Sequence, residues 1–245
     1  MSSAKQSVRP IAIIGAMQQE IAYIHEALTL SEVVNVADMS LHLGDIHSVP
    51  VAVVLCGIGK VNAAIAATLL IERYAPVIMV NSGCAAGIDS RLALGDVVIG
   101  EQLMHHDVDL TAFGYALGQV AKMPGAFSSD ARLIELAHQA AQATGVDGVH
   151  YGDIVSGDAF IADPVKVSII KQHFPNAYAI DMEAAAIAQT CHFYGIPFVS
   201  IKAISDVADG AAISSFEEML DTAGKNSAKT SLNMLTELAE SMVSS

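Results

Sequence analysis

Short apolar runs rich in β-branched residues alternate along the chain with longer stretches in which apolar positions recur at helical spacing. The runs are IAIIG (11–15), VAVVLCG (51–57), VIMVN (77–81), DVVIG (96–100), GDIVSG (152–157) and FVSIKAIS (198–205). Their unbroken apolar character predicts strands buried on both faces, in a sheet covered by helices. Helices are expected near 17–29, 60–74, 129–144, 163–173, 183–194 and 216–242. The first has acidic and polar residues in its opening turn, and Ser214 and Ser215 are expected caps for the last. No composition shift, proline-rich linker or repeat divides the chain. The expected architecture is a polar, disordered leader over 1–10 and a single three-layer α/β/α domain over 11–245, with a central mixed, mostly parallel sheet flanked by helices.

Functional residues in such sheets gather at the carboxyl ends of strands. Gly15-Ala16-Met17, Gly57-Ile58-Gly59-Lys60, the segment from Asn81 to Gly87, and Ser205-Asp206 all fall at expected strand ends. Four such ends carrying glycine or carboxylate predict one shared pocket.

Charge narrows the partners. Twelve Lys and Arg stand against 26 Asp and Glu, a net charge of −14. Nucleic acid and anionic membranes both need a basic surface, which this chain lacks. With 53% hydrophobic residues and no Trp, the apolar material suits a sheet core, and an oligomer would use part of its excess. Cys56, Cys84 and Cys191 are odd in number and without metal-like spacing, so a reducing compartment is expected, with neither a disulfide framework nor a zinc site. No stretch reaches the ~20 apolar residues of a membrane span, and the first apolar run is too short for a signal peptide. A soluble cytoplasmic protein is the expectation.

Several motifs carry candidate chemistry. Gly57-Ile58-Gly59-Lys60-Val61 lacks the glycine and hydroxyl of a phosphate loop, and Asn62 breaks a dinucleotide fingerprint. A tight strand-to-helix turn accounts for it, with Ile58 presented to a pocket as the functional version. His105-His106-Asp107-Val108-Asp109 holds metal-capable side chains, but adjacent residues seldom converge on one ion, so a hydrogen-bonded loop near a pocket or interface is expected. In Asp181-Met182-Glu183 an extended backbone would point both carboxylates to one side, although either acid also suits a helix N-terminus. Glu20, in the first turn of its helix, is open to the same two readings. Asp206 follows an apolar strand and precedes a turn-like segment through Gly210; a carboxyl buried there tends toward a raised pKa and suits a proton donor, or is a structural acid satisfied by loop amides.

Taken in order, IIGAMQQE (13–20), GIGKVNAA (57–64), HDVDLTAFGY (106–115), SGDAFI (156–161), DMEAAAIA (181–188) and AISDVAD (203–209) resemble one family: the bacterial 5′-methylthioadenosine/S-adenosylhomocysteine nucleosidases of the nucleoside phosphorylase superfamily. The resemblance implies hydrolysis of the bond between adenine N9 and ribose C1′ in 5′-thio-substituted adenosines, without cofactor or metal. It further implies that Glu20 activates the water, Asp206 protonates adenine N7 and Glu183 holds ribose hydroxyls. Phe160 would stack on adenine, the Ile161 backbone would read its Watson–Crick edge, and Ser205 would join Asp206 at N7. Met182 would lie under the ribose, with Ala16, Met17, Ile58 and Phe216 as apolar walls and Cys84 near the ribose. Leu110 and Phe113 would reach the neighbouring subunit's pocket, implying a homodimer.

Three positions depart from the family pattern: Cys84 where Ser is usual, Lys202 where Arg is common, and Asp181 where Glu is usual. None removes a proposed catalytic group. Two rivals stay open: a phosphorolytic enzyme of the same superfamily, disfavoured by scarce arginines and by Glu20, and a non-catalytic adenosine-binding module.

Overall fold

The computed structural model describes residues 9–207 and 212–243. Most of the expected leader, residues 1–8, and the turn-like segment 208–211 lie outside the described residues. The strands are β1 (Ile11–Gly15), β2 (Thr29–Val36), β3 (Met39–Ile46), β4 (Val49–Leu55), β5 (Ile78–Gly87), β6 (Val97–His105), β7 (Phe127–Ser128), β8 (Val149–Ser156), β9 (Ala177–Asp181) and β10 (Phe198–Val207). The helices are α1 (Gln18–Ala27), α2 (Lys60–Tyr74), α3 (Ala131–Ala143), α4 (Pro164–His173), α5 (Ala184–Tyr194) and α6 (Ala212–Val243).

The sheet is mixed. Its order is β10-β6-β8-β9-β5-β1-β4-β3-β2, and β10 also pairs with β5, so one end of the sheet closes on itself. Strand β1 lies parallel to both β4 and β5, and its side chains alternate: Ala12 and Ile14 face one core, Ile11 and Ile13 the other. Alanines of α2 and α5 pack against the first core, and α1, α3 and α6 against the second. That two-sided burial makes the six apolar runs strands.

The structure departs from the sequence reading in three places. Strands β2 and β3 form an unforeseen hairpin at the sheet edge, because β2 is largely exposed and carries no apolar run. The turn after β3 uses His47 and Ser48, both at positive φ, in place of the Asn-Gly pair that would announce it. The segment Asn81 to Gly87 does not end a strand but continues β5. Its small side chains let β1, β9, β10 and α1 crowd around it. Helix α6 begins at Ala212, so Ser214 and Ser215 lie within its first turn and do not precede it as caps.

Candidate active site

Strand β1 ends at Gly15, and α1 starts three residues later with no polar side chain at its N-terminal cap, Met17. Glu20 supplies the missing acceptor by reaching back: Oε2 accepts from the amides of Ala16 (2.6 Å) and Met17 (3.0 Å). Its Oε1 accepts from the Cys84 amide in β5 at 2.8 Å. Glu20 thus caps its own helix and is aimed across the sheet, 2% exposed. Gly83 makes the approach possible, since a Cβ there would stand 2.6 Å from Glu20 Oε1.

Strand β9 ends at Asp181 and α5 starts at Ala184, with Glu183 as its N-terminal cap residue. Asp181 accepts from Ser156 Oγ (2.5 Å) and from the Ala184 amide (2.9 Å), which satisfies the helix start. Glu183 Oε1 accepts from the Gly59 amide at 2.9 Å. The two acids converge on Lys202 of β10, whose Nζ lies 2.9 Å from Asp181 and 3.9 Å from Glu183. Lys202 is wholly buried; burial works against its charge, but Asp181, Glu183 and Glu20 outweigh it and hold the ammonium above its ordinary pKa. Burial pushes the Glu183 carboxyl up to about 7, against the pull of Lys202 and with help from Asp181 and Glu20.

Asp206 sits near the end of β10, where the register against β5 shifts between Ile204 and Asp206. Such a bulge re-aims a side chain. Asp206 is 1% exposed and accepts from Ser205 Oγ at 2.8 Å.

One cleft collects Glu20, Asp181, Glu183 and Asp206, about 570 Å³ counted to its open mouth. Of the residues singled out from sequence, Ala16, Met17, Glu20, Ile58, Cys84, Phe160, Ile161, Met182, Glu183, Ser205, Asp206 and Phe216 all line it. Leu110 and Phe113 do not; Leu110 caps the 3₁₀ turn Thr111–Phe113 and Phe113 is its last residue, 79% exposed. The Gly57–Gly59 turn runs at positive φ at both glycines and presents Ile58 to the cleft. The lining is mostly apolar, with Phe160 and Phe216 in edge-on contact at 5.6 Å. The thiol of Cys84 is pushed well above its ordinary pKa by burial and by Glu20, so it is neutral.

Sequence reasoning did not anticipate Gly83, the Gly59 amide or the convergence on Lys202. The only linear trace of the last was its place in an otherwise apolar strand. The histidine pair lies where β6 ends: His105, its last residue, meets Gln189 through Nε2 at 2.8 Å, and His106 packs against Gly157. Among the described residues, no three His, Cys, Asp or Glu side chains are grouped to hold a metal, and no helix is long and apolar enough to cross a membrane.

A family model described as the phosphorylase superfamily matches residues 10–238. A 5′-methylthioadenosine/S-adenosylhomocysteine nucleosidase of Anoxybacillus flavithermus is 44% identical over 228 residues, covering 93% of this chain and 98% of that protein. Among solved structures, the Neisseria meningitidis nucleosidase of that name, in complex with methylthio-immucillin-A, superposes with a TM-score of 0.91 at 45% identity, covering 94% of this chain and 100% of the other. A futalosine hydrolase of Helicobacter pylori shares the fold at 31% identity and a TM-score of 0.89, over 94% and 98% of the two chains. The chain thus belongs to the 5′-methylthioadenosine/S-adenosylhomocysteine nucleosidase family of the phosphorylase superfamily.

Proposed function

We propose that this protein hydrolyses the N-glycosidic bond of 5′-methylthioadenosine, S-adenosylhomocysteine and related 5′-substituted adenosines, releasing adenine and a thioribose. The observation that carries this reading is the meeting of three buried carboxylates, Glu20, Glu183 and Asp206, from separate elements around one apolar cleft. In this mechanism Glu20 orients a water and takes its proton. Oε2 is already occupied by two amides, so the work falls to Oε1, which takes one amide and has a second lone pair for a water. The Cys84 thiol beside it is a weak donor that a water displaces.

As the water oxygen bonds to C1′, the C1′–N9 bond breaks and its electron pair leaves with adenine. Protonation of N7 by Asp206, positioned by Ser205, lets the base depart neutral. A general acid or base of this kind contributes ~10²–10⁴-fold in rate. Glu183 accepts hydrogen bonds from ribose hydroxyls in its ionised form, and its charge favours the oxocarbenium-like sugar. Phe160 stacks on adenine, the Ile161 backbone reads its edge, Met182 lies under the ribose, and Ala16, Met17, Ile58 and Phe216 surround the alkylthio group.

Water is favoured over phosphate as the nucleophile because no Arg or Lys is among the described residues lining the cleft, and the nearby Lys202 is committed to Asp181. A phosphate dianion needs cationic or amide donors of its own. We further infer a homodimer in which Leu110 and Phe113 complete the partner's pocket. Val61, Ile65, Phe113 and Phe193 are exposed apolar side chains of the kind such an interface would cover.

The test is adenine release from 5′-methylthioadenosine, without and with phosphate, beside Glu20→Gln. Phosphate-independent release, lost in the variant, is the expected result. Release only with phosphate would move the protein to phosphorolysis, and tight nucleoside binding without release would make it a binding module.

A further inference from the structure

Helix α2 opens with two consecutive amides that no residue of its own turn satisfies through a side chain, because its cap position is Gly59. Two carboxylates from distant segments fill the gap. Gly59 N donates to Glu183, and Lys60 N donates to Asp158 Oδ1 at 2.7 Å. Acids at a helix N-terminus gain from the macrodipole. Asp158 lies two residues before Phe160 and three before Ile161, in the stretch that follows β8.

That stretch is tied down a second time. Asp107 Oδ2 accepts from the Asp158 amide at 2.9 Å, and Asp107 Oδ1 accepts from the Lys60 ammonium. Lys60 thus grips Asp158 with its backbone and Asp107 with its side chain, while Asp107 closes the ring on the Asp158 amide. Burial pushes the Asp107 carboxyl up, but Lys60 and the Asp158 amide outweigh it and hold it below the usual range. Asp107 also lies three residues before Leu110 and six before Phe113. The ring joins the start of α2, the 158–161 segment and the 107–113 loop.

We propose that Lys60, Asp107 and Asp158 form a positioning clasp that holds the base-binding segment 158–161 in place, so that affinity for the adenine ring depends on the 107–113 loop. The proposal rests on the reading of the cleft as an adenine nucleoside site. The clasp touches neither the proposed water nor the glycosidic bond, so it acts on base binding in ground state and transition state alike. Loss of such uniform binding raises KM and leaves kcat in place. Asp107 and Lys60 are positioning residues, and each clasp bond is a charge-assisted one at partly exposed side chains, so breaking it weakens base binding by about 10-fold.

The experiment compares wild type with Asp107→Asn, Lys60→Met, the double variant and Lys60→Arg. Steady-state kinetics on 5′-methylthioadenosine are read beside calorimetric titration with free adenine and thermal melting. The expected result is a rise of about 10-fold in KM and in the adenine Kd for each single variant, with kcat within about threefold. The double variant should be no worse than the weaker single, because either change opens the same ring, and Lys60→Arg should restore most of the affinity. A fall in kcat with KM and adenine Kd intact would overturn the clasp, as would full multiplication of the two single effects or no change at all. Adenine titration needs no turnover. A wild type that binds adenine but releases none from substrate would therefore sink the hydrolytic reading and still decide the clasp, and one that binds no adenine would overturn both.

Discussion

Lys202 Nζ and Asp181 Oδ2 stand 2.9 Å apart with both side chains shut off from solvent, and the Glu183 carboxylate lies 3.9 Å from the same ammonium. The lysine is the counter-ion of two buried acids. Breaking a buried pair by removing one partner strands the other, at a cost of ~3–5 kcal/mol. Lys202→Met should lower stability by that order in urea unfolding. Because Lys202 pulls the Glu183 pKa down, the acid limb of kcat/KM should also move to higher pH. An unmoved limb in a folded variant would show that Glu183 does not govern it.

Glu183 makes stability itself pH-dependent. Its carboxyl titrates at about 7 when folded against 4.5 as the reference for the open chain. Between those values the native state holds a proton that the unfolded chain has shed, so stability from this group is complete below about 4.5 and is lost as pH rises through about 7. Glu183→Gln removes the titration. Its stability relative to wild type should improve by roughly 1–3 kcal/mol from pH 4.5 to pH 8, read as the change in unfolding free energy. A pH-independent difference would contradict the raised pKa.

Gly83→Ala tests the approach of Glu20 across β5. The added carbon would meet Oε1 at 2.6 Å and Cδ at 2.9 Å, too close for either to remain. Overpacking of this kind costs ~1–3 kcal/mol, so the fold should persist with a lower melting temperature. Adenine release should drop by at least about 100-fold, the lower end of what a general base contributes. Activity near wild type would mean that Glu20 is free to act from another position.

The thiols should be silent in the folded protein. Cys56 and Cys191 are buried and pushed up to about 12, and Cys84 is also raised, in each case chiefly by desolvation. Only thiolates react readily. Ellman titration at neutral pH should release no thiol from native protein and three after unfolding. A rapid native thiol would point to Cys84 as exposed to the cleft in ionised form.

Phe113→Asp tests the inferred assembly. An aspartate on this exposed turn should give monomers by light scattering and lower adenine release together, since the partner's pocket loses an apolar wall. Monomers with full activity would dismiss the shared pocket.

Much of the fold could be read from the sequence because two-sided burial writes itself as continuous apolar runs. IAIIG became β1 with all five residues buried, and the helical spacing at 60–74 became α2 with the same bounds. The edge hairpin was invisible for the opposite reason. Strand β2 buries little, and the turn that joins it to β3 holds Ala37 at positive φ, with no glycine to signal it.

At the cleft, residue types and positions along the chain pointed to Glu20, Glu183 and Asp206 as candidates, since a carboxylate beside a strand end is legible locally. The sequence also determined, through its ordered blocks, which family pattern the chain carries. What each acid touches was decided only by tertiary structure. The Gly59 amide reaches Glu183 across 124 residues, and Cys84 reaches Glu20 across 64. Lys202 could be placed in a strand by its neighbours, but not between two carboxylates. Hydrogen bonds and buried charge pairs form between segments that share no local signal, because what brings them together is the closing of the sheet and the packing of its two faces.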